Sequence, residues 1–339
     1  MGNLPRLIVF CSSLCCVFQI QSAEPGRIAL DVVVTDSAGT PLAGLQQQDF
    51  TLLDNKQPRP ILSFDAVQAA GTPVEVLLLI DEVNTAFKNV SYEREQLEKF
   101  LQRNGGQVTR PIRLIFLTDA GAAVSNAPTQ DGKALAEQLK QNRAGLRTIG
   151  RSQGAYGALD RFKLSLHALD QLIDHATRIP GRKLLIWISP GWPLLSGPRV
   201  ELSLKDQQGL FNSVVSLSDG LRRARITLYS VDPLGATSAG EFQTSYYKSF
   251  VKAVKKPSQV EIGNLGLQVL ATQTGGRVLY SSNDIAGEIA TCIADANSFY
   301  VIGFDAVPGD GPNDYHSLEL KVGKPGTVAR TRAGYYAQP

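Results

Sequence analysis

The sequence predicts an α/β fold: a doubly wound, mostly parallel sheet inserted in a small β-sandwich built from both chain ends. Three observations support this prediction. Between residues 71 and 296, nearly continuous apolar runs alternate with segments of helical periodicity, which is typical of a sheet covered by helices on both faces. Segments 27–64 and 299–332 alternate apolar and polar residues, which is typical of antiparallel strands. Neither segment is large enough to be stable alone, so the two ends are expected to share one sandwich.

Residues 1–23 have the pattern of an export signal. One charged residue, Arg6, precedes an apolar run over residues 7–18, and Ala23 offers a small side chain at a plausible cleavage point. The run is shorter than the ~20 residues that span a bilayer, so no transmembrane segment is expected in the mature chain. We therefore expect an exported bacterial protein, periplasmic or secreted. A lipid anchor at Cys15 and a buried N-terminal strand or helix are the weaker alternatives.

The composition excludes several classes of function. A formal net charge of +3, without a concentrated basic stretch, argues against nucleic-acid binding. Three of the four cysteines lie within residues 1–23, which excludes a disulfide or a cysteine-based zinc site in the remainder. The fourth, Cys292, lies in a short helical pattern and is expected in the core. The sequence contains neither a nucleophile elbow nor a phosphate-binding loop, so no enzymatic activity is expected.

The outer β segments contain the predicted strands of the sandwich. Ile28, Leu30, Val32 and Val34 are spaced by two and are followed by a turn at residues 36–39. The further strands are predicted at 50–53, 61–64, 299–304, 318–322 and 328–332. With the export signal at 1–23, the expected domain organisation is an N-terminal β segment at 24–70, an α/β domain at 71–296 and a C-terminal β segment at 297–339.

The middle segment contains the predicted parallel sheet. Its strands are predicted at 74–80, 112–117, 184–188, 226–231 and 278–280, and its helices at 91–103, 133–140, 162–179, 210–221, 260–274 and 285–294. In such sheets, ligands bind beyond the carboxyl ends of the strands. Residues 81–85, 189–193 and 232–235 follow three of these strands, so they are the first candidates for a functional site.

Several short motifs are distributed along nearly all of the mature chain. They include Val32-Val33-Val34-Thr35-Asp36, Ile80-Asp81-Glu82-Val83-Asn84-Thr85, Pro180-Gly181-Arg182-Lys183, Tyr229-Ser230-Val231-Asp232-Pro233, Thr274-Gly275-Gly276-Arg277 and Gly334-Tyr335-Tyr336. Their order, with an acidic residue ending a buried first strand, resembles the von Willebrand factor A domain. The closer resemblance is to the bacterial VWFA-related family described from acidobacteria, whose members are largely uncharacterised.

The resemblance implies a metal-ion-dependent adhesion site, although an incomplete one. In A domains, an Asp-x-Ser-x-Ser motif, a loop threonine and a second Asp bind Mg²⁺ through the oxygen ligands that this hard cation prefers. Asp81 matches the first position and Thr85 the last serine, but Val83 and Pro190 stand where two ligands belong. Ser152 is a candidate for the loop hydroxyl. We expect no cofactor, with Mg²⁺ at Asp81 and Thr85 as the alternative.

The loops at the same edge favour a protein-binding surface. Segment 235–257 carries aromatic residues beside lysines, a composition typical of protein interfaces, although an extra packed helix is the alternative interpretation. Trp192 follows a strand that ends at this edge. The predicted binding residues are Asp81, Asn84, Thr85, Trp192, Tyr246 and Tyr247. The expected function is non-enzymatic, adhesion-type binding of a protein partner of unknown identity without metal. The alternatives are a Mg²⁺-dependent adhesin with an altered site and a cell-envelope hydrolase.

Overall fold

The computed structural model describes residues 26–68, 74–125, 127–142, 154–193, 202–234, 245–280 and 282–339. Over these residues the chain has a mixed α/β architecture with several sheets, one of them mostly parallel. The predicted export signal at 1–23 and the candidate ligand Ser152 lie outside the described residues. The domain boundaries stay a prediction, but the sheets below indicate how the segments come together.

The strands are β1 (Arg27–Thr35), β2 (Phe50–Asp54), β3 (Gln57–Arg59), β4 (Ser63–Gln68), β5 (Val74–Asp81), β6 (Gln107–Thr118), β7 (Gly121–Val124), β8 (Thr129–Asp131), β9 (Arg182–Ile188), β10 (Ile226–Val231), β11 (Val278–Leu279), β12 (Ser298–Asp305), β13 (Asp314–Val322), β14 (Val328–Arg330) and β15 (Gly334–Ala337). The helices are α1 (Phe87–Gln102), α2 (Gly132–Gln141), α3 (Gly154–Thr177), α4 (Leu204–Arg223), α5 (Leu267–Gln273) and α6 (Ile285–Ala294).

Strands from both chain ends pair in two antiparallel four-stranded sheets, ordered β14-β1-β12-β4 and β15-β13-β2-β3. Leu30 lies opposite Ile302 in the first sheet, and Leu52 lies opposite Leu320 in the second. Apolar side chains of both sheets form one shared core, because each strand directs alternate residues inward. We call these two sheets the sandwich. The predicted pairing of the chain ends is confirmed.

The third sheet has the order β11-β10-β9-β5-β6-β7, with β8 also paired to β6. Strands β5, β6, β9, β10 and β11 are parallel, whereas β7 and β8 run antiparallel to β6. The chain proceeds from β5 to β6 on one side and later to β9 on the other. The strand order therefore reverses between β5 and β9, which is where ligands bind in doubly wound sheets. We call the edge at which the parallel strands end the carboxyl edge.

Helices cover both faces of this sheet, as its apolar strands require. Every residue of β9 is buried. Helices α1, α2 and α6 pack on one face, and α3, α4 and α5 on the other. Among the described helices, none combines the length and the apolar character needed to cross a membrane.

The fold differs from the sequence expectation at several places, including the helix predicted at 260–274 and the strand β3. The predicted helix at 260–274 is a 3₁₀ turn, Ile262–Leu265, followed by the shorter α5. The ring of Phe250 packs so closely on Gly263 that a Cβ there would lie 2.6 Å from Phe250 Cγ. The hairpin strand β3 was also missed. Its turn uses Asn55 and Lys56 with φ of 48° and 66°, a left-handed geometry that suits tight hairpins.

Asp295, just after α6, joins the parallel sheet to the sandwich. Its carboxylate is fully buried and accepts hydrogen bonds from Arg330 Nη2 at 2.7 Å to both oxygens, from Arg277 Nη2 at 3.1 Å and from the Tyr229 hydroxyl at 3.0 Å. Arg330 belongs to the sandwich strand β14, whereas Tyr229 belongs to β10. Burial opposes ionisation of Asp295, but the neighbouring charges of Arg330 and Arg277 outweigh it and lower the pKa of the carboxyl.

Candidate functional site

Asp81 ends β5 beside the point where the strand order reverses, as the sequence predicts. Its side chain is fully buried. One carboxylate oxygen accepts hydrogen bonds from the backbone N–H groups of Val83 at 3.1 Å and Asn84 at 2.9 Å. The other accepts from the Asn84 side-chain amide at 2.8 Å and from the indole N–H of Trp187, in β9, at 2.9 Å. Both oxygens are therefore already engaged by donors of the protein itself.

Asn84 extends this network to α3. Its side-chain nitrogen lies 2.9 Å from Ser165 Oγ, and that hydroxyl donates to the Arg161 carbonyl at 2.9 Å. Burial raises the pKa of Asp81, while hydrogen bonds from Asn84, Trp187 and Ser189 oppose the rise. The network thus connects the end of β5, the end of β9 and α3, and it holds the loop after β5 in one conformation.

Val83 and Thr85 follow Asp81 in the same loop, and both are buried. Val83 is buried in the apolar core with Trp187 and Trp192. Thr85 is buried too, near the carboxyl of Glu93, a buried residue of α1 whose pKa it lowers. Glu93 is not among the predicted site residues, although it shares the helical spacing of the buried α1 residues Val90, Leu97 and Leu101. That spacing was the available signal.

Glu93 belongs to a buried acidic group with Asp81 and Glu82. Glu82 is paired with Arg94, whose Nη2 lies 2.5 Å from Glu82 Oε1. Burial and the charges of Asp81 and Glu82 raise the pKa of Glu93 well above its usual range, although Thr85 and Arg94 act in the opposite direction. The structure thus favours the protonated, neutral form of Glu93.

Replacing Glu93 by glutamine is expected to stabilise the protein increasingly as pH rises. Because the pKa of Glu93 is higher in the folded than in the unfolded protein, ionisation opposes folding above the unfolded value, by about 1.4 kcal/mol per pH unit until the folded pKa is reached. Glutamine has nearly the same shape as glutamate and removes this penalty. Urea unfolding of Glu93→Gln and wild type over the pH range measures the difference. Glu95→Gln, exposed on the same helix, is the control, and a difference independent of pH would contradict the assignment.

The side chains at this edge do not fit a Mg²⁺ ion bound in the manner of A domains. A cation at Asp81 would face the N–H groups that already bind both oxygens, and Val83 offers no oxygen. Thr85 lies near the carboxyl of Glu93. In the part of the chain that the structure describes, no group of three or more His, Cys, Asp and Glu side chains is arranged to hold a metal.

Divalent cations are accordingly expected to leave thermal stability unchanged. A ligand that binds only the folded state raises its stability, so a bound ion would raise the Tm in a concentration-dependent way. The measurement compares the Tm in EDTA with the Tm in millimolar MgCl₂, MnCl₂ and CaCl₂. An increase that Asp81→Ala abolishes would restore the Mg²⁺-dependent alternative.

The structure corrects the expectation that Trp192 and Tyr247 face a partner. They are only 3% and 9% exposed. Trp192 packs edge-on against Trp187, with centroids 5.0 Å apart, because it fills the space between β9 and α3. Tyr247 packs with Phe250 on the first turns of α5, whereas Tyr246 is exposed. Residues 235–244 of the predicted surface lie outside the described residues.

Three helices that begin at the carboxyl edge each carry an exposed apolar residue in their first turn. Phe87, Tyr156 and Leu204 are 73%, 81% and 84% exposed, and they lie in the first turns of α1, α3 and α4. Because α1 covers one face of the sheet and α3 and α4 the other, these side chains flank the reversal point from both sides. We call them the apolar rim. These three residues were not predicted, because all three helices begin several residues earlier than the sequence pattern indicates.

The apolar rim projects beyond the sheet. Ser165 of α3 contacts Asn84 at the carboxyl edge. Tyr156 precedes Ser165 by more than two helical turns, so along the helix axis it lies about 13 Å further towards the solvent. Arg94 of α1 pairs with Glu82 at the carboxyl edge. Phe87 precedes Arg94 by two helical turns, so along the helix axis it lies about 10 Å further towards the solvent. Helix α4 is 20 residues long and β10 only 6, so α4 overshoots β10 by about 10 Å.

Two further chemically distinctive groups, His316 and Cys292, are buried. His316 Nδ1 lies 2.8 Å from Asp54 Oδ1, and the Tyr335 hydroxyl donates to Asp54 Oδ2 at 2.7 Å, which fastens three strands of one sandwich sheet. Cys292 lies in the core, as predicted, and burial raises the pKa of its thiol well above the usual range, which disfavours the nucleophilic thiolate.

No family model and no curated protein matches the chain. Among solved structures, a mutant of the PilB minor pilin from Streptococcus sanguinis is 10% identical, with a TM-score of 0.34 over 66% of this chain and 63% of the pilin. Manganese-loaded TRAP protein from Plasmodium vivax is 10% identical, with a TM-score of 0.35 over 80% of this chain and 98% of TRAP. The pilus adhesin SpaC from Lactobacillus rhamnosus GG is 9% identical, with a TM-score of 0.37 over 88% of this chain and 49% of the adhesin. The chain thus spans less than two thirds of the pilin and of the adhesin.

Proposed function

We propose that the chain is an exported, non-enzymatic module that binds a protein partner at the carboxyl edge without a metal ion. The observation that carries this proposal is the apolar rim. Single exposed apolar residues are common on protein surfaces, but several at one functional edge are characteristic of interaction sites. Phe87, Tyr156 and Leu204 are largely exposed and surround the place where doubly wound sheets bind ligands.

The proposal also assigns a domain organisation to the chain. A von Willebrand A-like domain at 71–296 lies between β segments at 24–70 and 297–339, after an export signal at 1–23. The strand order, with one antiparallel hairpin beside β6, supports the A-like assignment. In this arrangement the sandwich holds both ends of the A-like domain, and the carboxyl edge is left for the partner.

The buried network beneath the rim gives the surface its shape. Asp81, Asn84 and Trp187 fix the loop from which α1 starts. These residues therefore act by positioning Phe87 rather than by contacting the partner. A rigid surface of this kind loses less conformational entropy on binding than a flexible loop does.

Selection of a random peptide library displayed on phage tests the proposal. Wild-type protein is expected to enrich binding peptides, and the triple variant Phe87→Ser/Tyr156→Ser/Leu204→Ser is expected to lose them. The matched control is Leu62→Ser/Val328→Ser, which removes exposed apolar side chains from the sandwich. Circular dichroism checks that all variants fold. Equal binding by wild type and the rim variant, or no enrichment at all, would contradict the proposal.

A further inference from the structure

We infer that the partner of the apolar rim is an acidic protein surface, an inference that rests on the proposed function and specifies its ligand. The observation is a lysine beside each of several exposed apolar residues at the carboxyl edge. Lys88 follows Phe87, Lys205 follows Leu204, and Lys248 lies two residues after Tyr246. All three lysines are exposed.

The carboxylates beneath the rim and in the first two turns of its helices do not cancel this positive charge. Asp81, Glu82 and Glu93 are buried beneath the rim, and the structure pairs Glu82 with Arg94 and favours the neutral form of Glu93. Among the exposed carboxylates in the first two turns of α1, α3 and α4, Asp206 is hydrogen-bonded to Ser203, and Asp160 is the exception.

The dipoles of the helices add to the positive electrostatic potential at the carboxyl edge. Because α1, α3 and α4 all begin at the carboxyl edge, their N-terminal ends direct partial positive charge towards a partner. With Lys88, Lys205 and Lys248, the edge combines apolar anchors with distributed positive charge. A protein surface with apolar groups surrounded by Asp and Glu complements it, and charge complementarity of this kind determines specificity and the rate of association.

A protein surface fits better than an anionic membrane. The helices meet the edge end-on, so each offers one apolar side chain and not the continuous apolar face of an interfacial helix. Asp160 and Asp206 stand among the lysines, where they would face lipid phosphates unfavourably. A protein surface can place a basic group opposite each of them.

The peptides enriched from the phage library test this inference directly. On wild-type protein they are expected to be acidic overall and to contain apolar residues. Lys88→Glu/Lys205→Glu/Lys248→Glu is expected to weaken their binding about tenfold or more, because like charges then meet. The matched control, Lys56→Glu/Lys321→Glu/Lys324→Glu, makes the same change in net charge on the sandwich and is expected to have little effect.

The outcomes separate this inference from the proposed function. Neutral or basic peptides that require the apolar rim but tolerate the lysine reversal would overturn the inference and leave the proposed function standing. Binding that does not require the rim would overturn both. Co-sedimentation with phosphatidylglycerol vesicles that is lost in the lysine variant, without peptide enrichment, would assign the edge to a lipid surface instead.

Discussion

Replacing Asp295 by alanine is expected to lower the free energy of unfolding by about 3–5 kcal/mol, because it leaves buried positive charge without its partner. The guanidinium groups of Arg330 and Arg277 are both largely buried and bind the same carboxylate. The Tyr229 hydroxyl also loses its acceptor. Urea unfolding near neutral pH measures the change.

Asp305→Ala is the matched control, because Asp305 pairs with Arg27 at the surface, where the ion pair contributes about 0–1 kcal/mol. The pH dependence gives a second test. The pKa of Asp295 is lowered by folding, so its contribution is complete above the unfolded pKa and is lost as pH falls through the folded value. The destabilisation by Asp295→Ala should therefore shrink in acid. Equal effects of both variants at neutral pH would contradict the assigned role.

Replacing Asp81 by asparagine is expected to destabilise the protein by about 2–4 kcal/mol, although the two side chains have nearly the same shape. The carboxylate accepts hydrogen bonds on both oxygens. An asparagine has one acceptor oxygen, so its amide group must face either the Trp187 and Asn84 side chains or the backbone N–H groups of the loop. Buried donors then lose their acceptors.

Asp160→Asn, at an exposed position of α3 near the same edge, is the control and is expected to change stability by no more than about 0.5 kcal/mol. The comparison also separates a hydrogen-bonding role for Asp81 from a metal-binding one. If Asp81 acts only as an acceptor, the loss of stability is the same in EDTA and in MgCl₂. A loss seen only with Mg²⁺ would identify a bound ion as its source.

The fold was largely predictable because burial leaves a periodic pattern. The apolar residues of β5 and β9 indicated a covered parallel sheet, and the spacing in β1 indicated a sandwich strand. Helix starts were less predictable, since Phe87 and Leu204 lie outside the buried stripes on which helical periodicity depends. Short strands such as β3 leave too few residues for any pattern.

The position of Asp81 was predictable, but its environment was not. Strand ends identify the edge where ligands bind, and Asp81 ends the first central strand. Nothing in the local sequence indicates that the indole N–H of Trp187 reaches Asp81 across the sheet, because Trp187 looks like one more apolar strand residue. Asp295 carries no pattern either, since its partners Arg277 and Arg330 come together only in the folded chain.

The pairing of β4 with β12 makes the whole parallel-sheet region topologically a hairpin loop. Gln68, at the end of β4, lies directly opposite Ser298, at the start of β12. The segment 69–297 is therefore an insertion between Gln68 and Ser298, two residues of the sandwich that are paired with each other. The entropy of closing a loop grows only slowly with its length, so a hairpin can accept an insert of this size. For protein engineering, an unrelated domain with neighbouring termini fits the same two positions, provided that it also supplies a carboxylate for Arg330 in place of Asp295.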